Sequence, residues 1–211
     1  MSRELNTIKQ ILSIVEELGH IKDLDTLLDR ILLEARNLTN ADAGSIYLRE
    51  GDSLKFTYVQ NDTLFKDKAA NKYFYSDAKM PINKSSLAGY VATTGKILII
   101  DDAYNLDKDL PFEFNTSFDK SSNYKTTSIM TVPLKTSADK IIGVLQIINA
   151  KNEKEVSTQF NEHHKVYVDY FATNAAVAIE RTILTRELIL RMLKMSELRD
   201  PKETGAQFNQ F

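Results

Sequence analysis

Thr126 to Ala150, TTSIMTVPLKTSADKIIGVLQIINA, is the stretch from which the rest of the chain can be arranged. Two apolar runs are joined by the polar connection Lys135 to Lys140, which is the pattern of a β-hairpin. In the second run Ile142, Val144, Gln146 and Ile148 alternate with Ile141, Gly143, Leu145 and Ile147, so both faces of the strand are almost wholly apolar. Strands of that kind are covered on both sides. Helices account for one cover; the other calls for loops or a bound molecule, and a function belongs there. Pro133 cannot donate to a ladder, so its strand is expected to have an irregular or unpaired position at that point.

Working outward, Leu5, Ile8, Leu12, Val15 and Leu18 recur at three- and four-residue steps, which predicts an amphipathic helix over Arg3 to Leu18 with a narrow, coiled-coil-like seam. Asp23 is placed to cap a second helix, whose leucine- and isoleucine-rich stripe suits a sheet and which stops near Asn40. AGSIYLR (Ala43 to Arg49) and SLKFTYVQ (Ser53 to Gln60) flank the turn Glu50-Gly51-Asp52 and predict a hairpin. Asn61 to Lys79, with Tyr73, Phe74 and Tyr75, reads as a long polar loop with some helix. Met80-Pro81-Ile82 is expected at a sheet edge. A helix from Leu87 to Thr93, capped by Ser85 or Ser86 and ended by Gly95, precedes a strand Ile97 to Ile100. Ala103 to Lys125 is long for a connection and carries Phe112, Phe114 and Phe118, as binding loops and lids do.

No Gly or Pro occurs from Ser157 to Asp200, which predicts one helix of roughly 40 residues, about 60 Å long. Its first half carries Tyr167, Tyr170, Phe171, Ala175, Val177 and Ala178 for packing against the sheet or helix partners. Leu184, Leu188, Met195 and Leu198 continue a seven-residue seam suited to the same helix of a second copy. The expected homodimer is thus held by the terminal helices, through Leu5, Ile8, Leu12 and Val15 together with Leu184, Leu188, Met195 and Leu198.

Composition narrows the function. Lys plus Arg (27) nearly balances Asp plus Glu (29) and the signs are interspersed, so no basic stripe points to nucleic acid or an anionic membrane. No run approaches a membrane span and the start lacks signal-peptide layout, which predicts a cytoplasmic protein. The absence of cysteine excludes disulfides, thiolate catalysis, Cys-ligated metal and a thioether-linked chromophore. Nucleophilic triads, phosphate loops and zinc spacings are missing, and adjacent His163 and His164 on a helix point about 100° apart, which does not suit one metal. The expectation is no enzyme and no metal within these residues.

Three segments in order resemble the GAF domain family: DLDTLLDRILLEARNLTNADAGSIYL, SLAGYVATTGKILIIDDA (Ser86 to Ala103), and SIMTVPL with IIGVLQIIN. The resemblance covers about Asp23 to Arg181. It implies an α/β (α+β) fold, with about six antiparallel strands, helices on one face, a ligand pocket on the other, and long N- and C-terminal helices. The tail MSELRDPKETGAQFNQF is similar to the entry of bacterial HD-GYP domains, phosphodiesterases of cyclic di-GMP, although Gln207 and Gln210 stand where that family has histidine and arginine. The implied organisation is an N-terminal helix over 1–22, a GAF domain over 23–181, a connecting signalling helix over 182–200 and the start of an output domain over 201–211.

GAF domains that bind cyclic nucleotides carry an Asn-Lys, Phe, Asp-Glu signature. Here Asn149 and Phe160 match, but Ala150 replaces the lysine, and His164 and Lys165 stand in the acidic positions, which leaves cyclic AMP or GMP unsupported. The ligand pocket is expected to involve Phe114, Asn115 and Ser128, completed by Tyr47, Met130 and Gln146 if their strand faces agree. The alternative is a ligand-free domain acting in dimerisation, its pocket plugged by Phe112, Phe114 or Phe118.

Overall fold

The structure is a computed structural model that describes residues 2–65 and 79–199, with side chains over 4–65 and 79–196. Helix α1 (Ser2–Leu18) leads into α2 (Leu24–Thr39). Asp23 caps α2 by accepting from the Thr26 backbone N–H at 2.8 Å, and Asn40, left-handed at φ 47°, closes it. The chain passes directly into β1 (Ala41–Glu50), which turns at Gly51 into β2 (Ser53–Asn61). Then come β3 (Lys79–Pro81), α3 (Leu87–Thr94), β4 (Leu98–Ile100), α4 (Ser117–Ser122), β5 (Ile129–Lys135) and β6 (Ile141–Lys151). A two-residue strand, β7 (Ser157–Thr158), and the helix α5 (Glu162–Arg199) complete the described chain.

The strands form one antiparallel sheet in the order β3-β2-β1-β6-β5-β4, with β7 added to the end of β6. The two hairpins expected from sequence therefore lie side by side, joined by β1 against β6. Gly143 makes this junction possible: a Cβ there would sit 2.3 Å from the Tyr47 carbonyl oxygen, closer than real side chains approach. Pro133 pairs with Val144 on one side. On its other side β4 reaches only Ile129 to Thr131, so the missing donor is not needed.

Alternation separates the two faces of the sheet. Ile46, Met130, Val132, Leu134, Leu145 and Ile147 point toward α2 and α5, where they join Leu27, Leu28, Ile31, Leu32, Phe171, Ala175 and Ile179 in the main core. The register pairs Ala43 with Ile148, Ser45 with Gln146 and Tyr47 with Val144, and sets these on the opposite face.

Several sequence expectations change in the helices. Ser157 and Thr158 do not begin the long helix; they pair with Lys151 and Ala150, and Asn161 starts α5 by accepting from the His164 N–H at 2.9 Å. Tyr170 and Val177 face outward, because α5 buries Val168, Phe171, Ala172, Ala175, Ala176 and Ile179 on the other side. In α1, Leu5, Ile8 and Leu12 are exposed, while Val15 is half-buried against the core alongside Ile14 and Leu18. Arg181 on α5 donates to the Gly19 carbonyl and ties the end of α1 to the long helix. Tyr73, Phe74, Tyr75 and the tail 201–211 lie outside the described residues, and so does the Leu198 side chain. Among the described residues no helix is long and apolar enough to cross a membrane, and no group of His, Asp and Glu is placed to hold a metal.

Candidate functional site

Opposite the long helices, the sheet forms the floor of a cavity of about 340 Å³. Ala43, Ser45 and Tyr47 of β1, Phe56 and Val59 of β2, Gln146 and Ile148 of β6 and Ile129 of β5 make the floor. The roof comes from the start of α3 and from Glu113 to Thr126, including Phe114, Asn115, Phe118, Asp119 and Tyr124. The volume lies within the range of small-molecule sites, and the mostly apolar wall with a few polar groups is their usual chemistry.

Four of the six residues expected in the pocket are brought together here: Tyr47, Phe114, Asn115 and Gln146. The other two are corrections. Met130 is fully buried on the helix side, since odd and even residues of β5 face opposite ways and Ile129 takes the cavity side. Ser128 is also fully buried, and its hydroxyl donates to the Thr158 carbonyl at 2.7 Å, which fastens β7 instead of lining the cavity.

On the floor the Tyr47 hydroxyl donates to Gln146 Oε1 at 3.3 Å, and Gln146 Nε2 donates to Thr131 Oγ1 at 3.3 Å. Burial pushes the Tyr47 phenol up to about 12, against a smaller opposing effect of Ser45, so it stays a neutral hydrogen-bonding group.

Two buried carboxylates hold the roof. Asp119 Oδ2 accepts from the Thr126 N–H at 2.7 Å and from the Tyr104 hydroxyl at 2.8 Å, and its Oδ1 accepts from Thr126 Oγ1 at 2.8 Å. The bond to Asp119 raises the Tyr104 hydroxyl above its ordinary value. Asp42, at the start of β1, accepts from the Tyr124 hydroxyl at 2.8 Å, from Thr63 Oγ1 at 2.9 Å and from the Lys151 ammonium at 2.5 Å. Burial by itself would raise the Asp42 carboxyl; the bonds from Lys151, Tyr124 and Thr63 outweigh it and hold the group below its ordinary value. Burial, with Asp42 next to it, raises Tyr124 strongly.

Asn149, half of the incomplete nucleotide signature, is a clamp on the base of the roof. Its Nδ2 donates to the Tyr124 oxygen at 3.0 Å and to the Lys125 carbonyl at 2.8 Å, while its Oδ1 accepts from the Thr127 N–H at 2.7 Å. His164 serves the helix start: it packs its ring 6.1 Å from Phe160, and burial followed by the charge of His163 lowers it, while His163 lies against Tyr167. Asp101 and Asp102 belong to the turn after β4, where Asp102 Oδ1 accepts from the Tyr104 N–H at 3.0 Å.

Sequence reasoning missed Phe56, Asp119, Tyr124 and Asp42 as parts of the site, and offered Phe118 only as a lid aromatic or a plug. The only local signal was for Asp42, a charge set between Ala41 and Ala43 at the start of an apolar strand.

The chain is similar to cyclic nucleotide phosphodiesterases over a part of their length. It is 29% identical over 177 residues to the dual 3',5'-cyclic-AMP and -GMP phosphodiesterase 11 of Drosophila melanogaster, covering 82% of this chain and 12% of that protein. It is 32% identical over 164 residues to dual 3',5'-cyclic-AMP and -GMP phosphodiesterase 11A of Takifugu rubripes, covering 76% of this chain and 17% of that protein. The chain therefore spans less than a fifth of these two relatives. In structure it resembles the GAF domain of an Acinetobacter phosphoenolpyruvate-protein phosphotransferase, with a TM-score of 0.64 at 16% identity over 86% of this chain and 97% of that one. The GAF domain/HD domain protein of Geobacter sulfurreducens shares the fold at a TM-score of 0.57 and 12% identity over 79% of this chain and 98% of that one. The GAF domain profile matches residues 23–179, the segment that builds the sheet, the cavity and the first half of α5. By that match and by its fold, the chain belongs to the GAF domain family, a family of sensory modules.

Proposed function

We propose that this domain binds a small molecule between the sheet and the roof over Glu113 to Thr126, and that occupancy regulates an output domain attached after α5. The observation that carries the reading is the cavity itself. A purely structural domain would fill it with its own phenylalanines, but Phe112 packs away from it against Leu87, Ile100, Ala103 and Ile129, whereas Phe114 and Phe118 line open space. The output is proposed to be a cyclic di-GMP phosphodiesterase of HD-GYP type in a cytoplasmic protein. The tail resemblance supports it, as does the fact that curated relatives are themselves cyclic nucleotide phosphodiesterases.

A ligand of the folded state raises the melting temperature, by an amount equivalent to about 2.7 kcal/mol at a hundredfold excess over Kd. Scanning fluorimetry with cyclic nucleotides, cyclic dinucleotides and common metabolites is expected to find such a rise, and Phe114→Ala should shrink it by removing a wall of the cavity. A flat response over the whole panel defeats the sensing reading.

Signal output is proposed to run through a parallel homodimer. Val166, Tyr170, Val177, Leu184, Leu188 and Met195 are 44–62% exposed. They fall within about 40° of one another around α5, because Val166 and Leu184, Tyr170 and Leu188, and Val177 and Met195 are each about five turns apart. Leu5, Ile8 and Leu12 offer a second exposed stripe on α1. An unbroken helix is a stiff connection between the domain and whatever follows. A ligand that prefers one arrangement of the paired helices shifts their register by no more than that preference. Leu188→Glu, a charge in the stripe, is expected to turn a dimer at tens of micromolar into monomer in sedimentation equilibrium; a wild-type monomer, or an undisturbed dimer in the variant, rejects the seam.

A further inference from the structure

The cavity's charge is one-sided. Its described lining holds two carboxylates, Glu113 and Asp119, and no Lys, Arg or His. Asp119 is only 3% exposed. Its three donors are neutral, an N–H and two hydroxyls, and among the described residues it has no ion pair. A carboxylate thus stands at the wall with little water and, among the described residues, no counter-cation, where Coulomb interactions are stronger than in solvent. Lys151, at the end of β6, is bonded to Asp42 outside the described lining.

Aromatic rings supply the remaining chemistry. Tyr47, Phe56, Phe114, Phe118 and Tyr124 all border the space, and Tyr47 and Phe56 meet edge to face at 4.9 Å, so ring planes of different orientation surround a ligand. Ring faces attract a cation, most strongly when it is desolvated. An anion finds the reverse: repulsion from Asp119 and Glu113, and at the start of α3 the Gly89 N–H is already taken by Ser86 Oγ at 3.1 Å.

We propose that the cavity takes an organic cation, an amine or quaternary ammonium compound with an apolar or aromatic body, in preference to a phosphate ester or other anion. The proposal rests on the reading of this cavity as the sensory site. It names the class of ligand that the walls select.

Tyramine, tyrosol and 4-hydroxyphenylacetate carry the same phenol ring on a two-carbon chain and end in an ammonium, a hydroxyl and a carboxylate. Calorimetric titration of the full chain near neutral pH is expected to show tyramine binding at least about tenfold more tightly than either of the others. Glu113→Gln and Asp119→Asn should each reduce that ratio. Asp119 also holds the roof, so if its variant fails to fold, exposed Glu113 at the rim carries the test. Equal or tighter binding of the carboxylate overturns the proposal, as does an unchanged ratio in the folded variants or no binding of any of the three at millimolar concentration. Those failures leave the sensing reading standing if a member of the broader panel still raises the melting temperature; a flat panel removes both.

Discussion

Replacing Asp42 by alanine is expected to destabilise the domain by about 3 kcal/mol, the lower end of what breaking a buried ion pair costs. The carboxylate joins four parts of the chain: its own strand β1, Lys151 at the end of β6, Tyr124 at the base of the roof and Thr63 after β2. Without it the buried Tyr124 hydroxyl loses its acceptor, and the Lys151 ammonium keeps only Glu155, at 3.5 Å. The lower end applies because the Lys151 side chain is 23% exposed and water can reach it. The sign with pH follows from Asp42 being held below its ordinary value. Its contribution is fully present above the unfolded carboxyl pKa of about 3.9 and is lost as pH falls through the lower folded value. Urea unfolding at a series of acidic pH values should show the wild type losing stability more steeply than Asp42→Ala. Asp42→Asn keeps an acceptor for Tyr124 but gives up the charge, and should fall between the two. A loss under about 1 kcal/mol in the alanine variant would mean that the roof is not fastened at this point.

Phe171→Ala is expected to cost about 3–5 kcal/mol, as truncation of a fully buried aromatic ring does. Phe171 is among the largest side chains with no exposure, on the face of α5 that meets α2 and the sheet. The residues around it are already packed, and only partial collapse around the hole is available to them. Chemical denaturation midpoints measure the effect directly. Tyr170→Ala is the matched control, because Tyr170 is one residue away and 50% exposed. It should change monomer stability by well under 1 kcal/mol, in line with other surface positions. Similar losses in the two variants would show that α5 is rotated about its axis relative to the packing described above.

These neighbours show where sequence reading stops. Composition marked both Tyr170 and Phe171 as apolar and helical, but a helix as rich in apolar residues as α5 has more than one candidate face. Which face meets the sheet depends on α2 and β5 approaching from elsewhere in the chain. The result is Phe171 inside and Tyr170 out, with Val177 on the exposed side as well. The same limit applies to β5. Its sequence was legible as a strand, yet it did not tell which of Ile129 and Met130 would face the cavity. Ile129 faces it because the pairing of Ile129 with Ile148 and of Ala43 with the same Ile148 sets the three on one side.

Whatever depended on neighbouring residues was determined by the sequence alone. Asp23, Ser86, Asn40 and Gly95 bound their helices because capping and left-handed closure act within one turn. The alternating runs of β1, β2, β5 and β6 specified strands because period-2 burial is local, and an all-apolar β6 required cover on both faces. Only the tertiary structure decided the site. Tyr124 meets Asp42 across 82 residues of sequence, and Asn149 reaches Lys125 across 24. The first contact exists only once β1 has paired with β6, the second only once β5 has, and no local pattern of side chains specifies either. The cavity, its acidic wall and the fastening of its roof are therefore properties of the folded sheet.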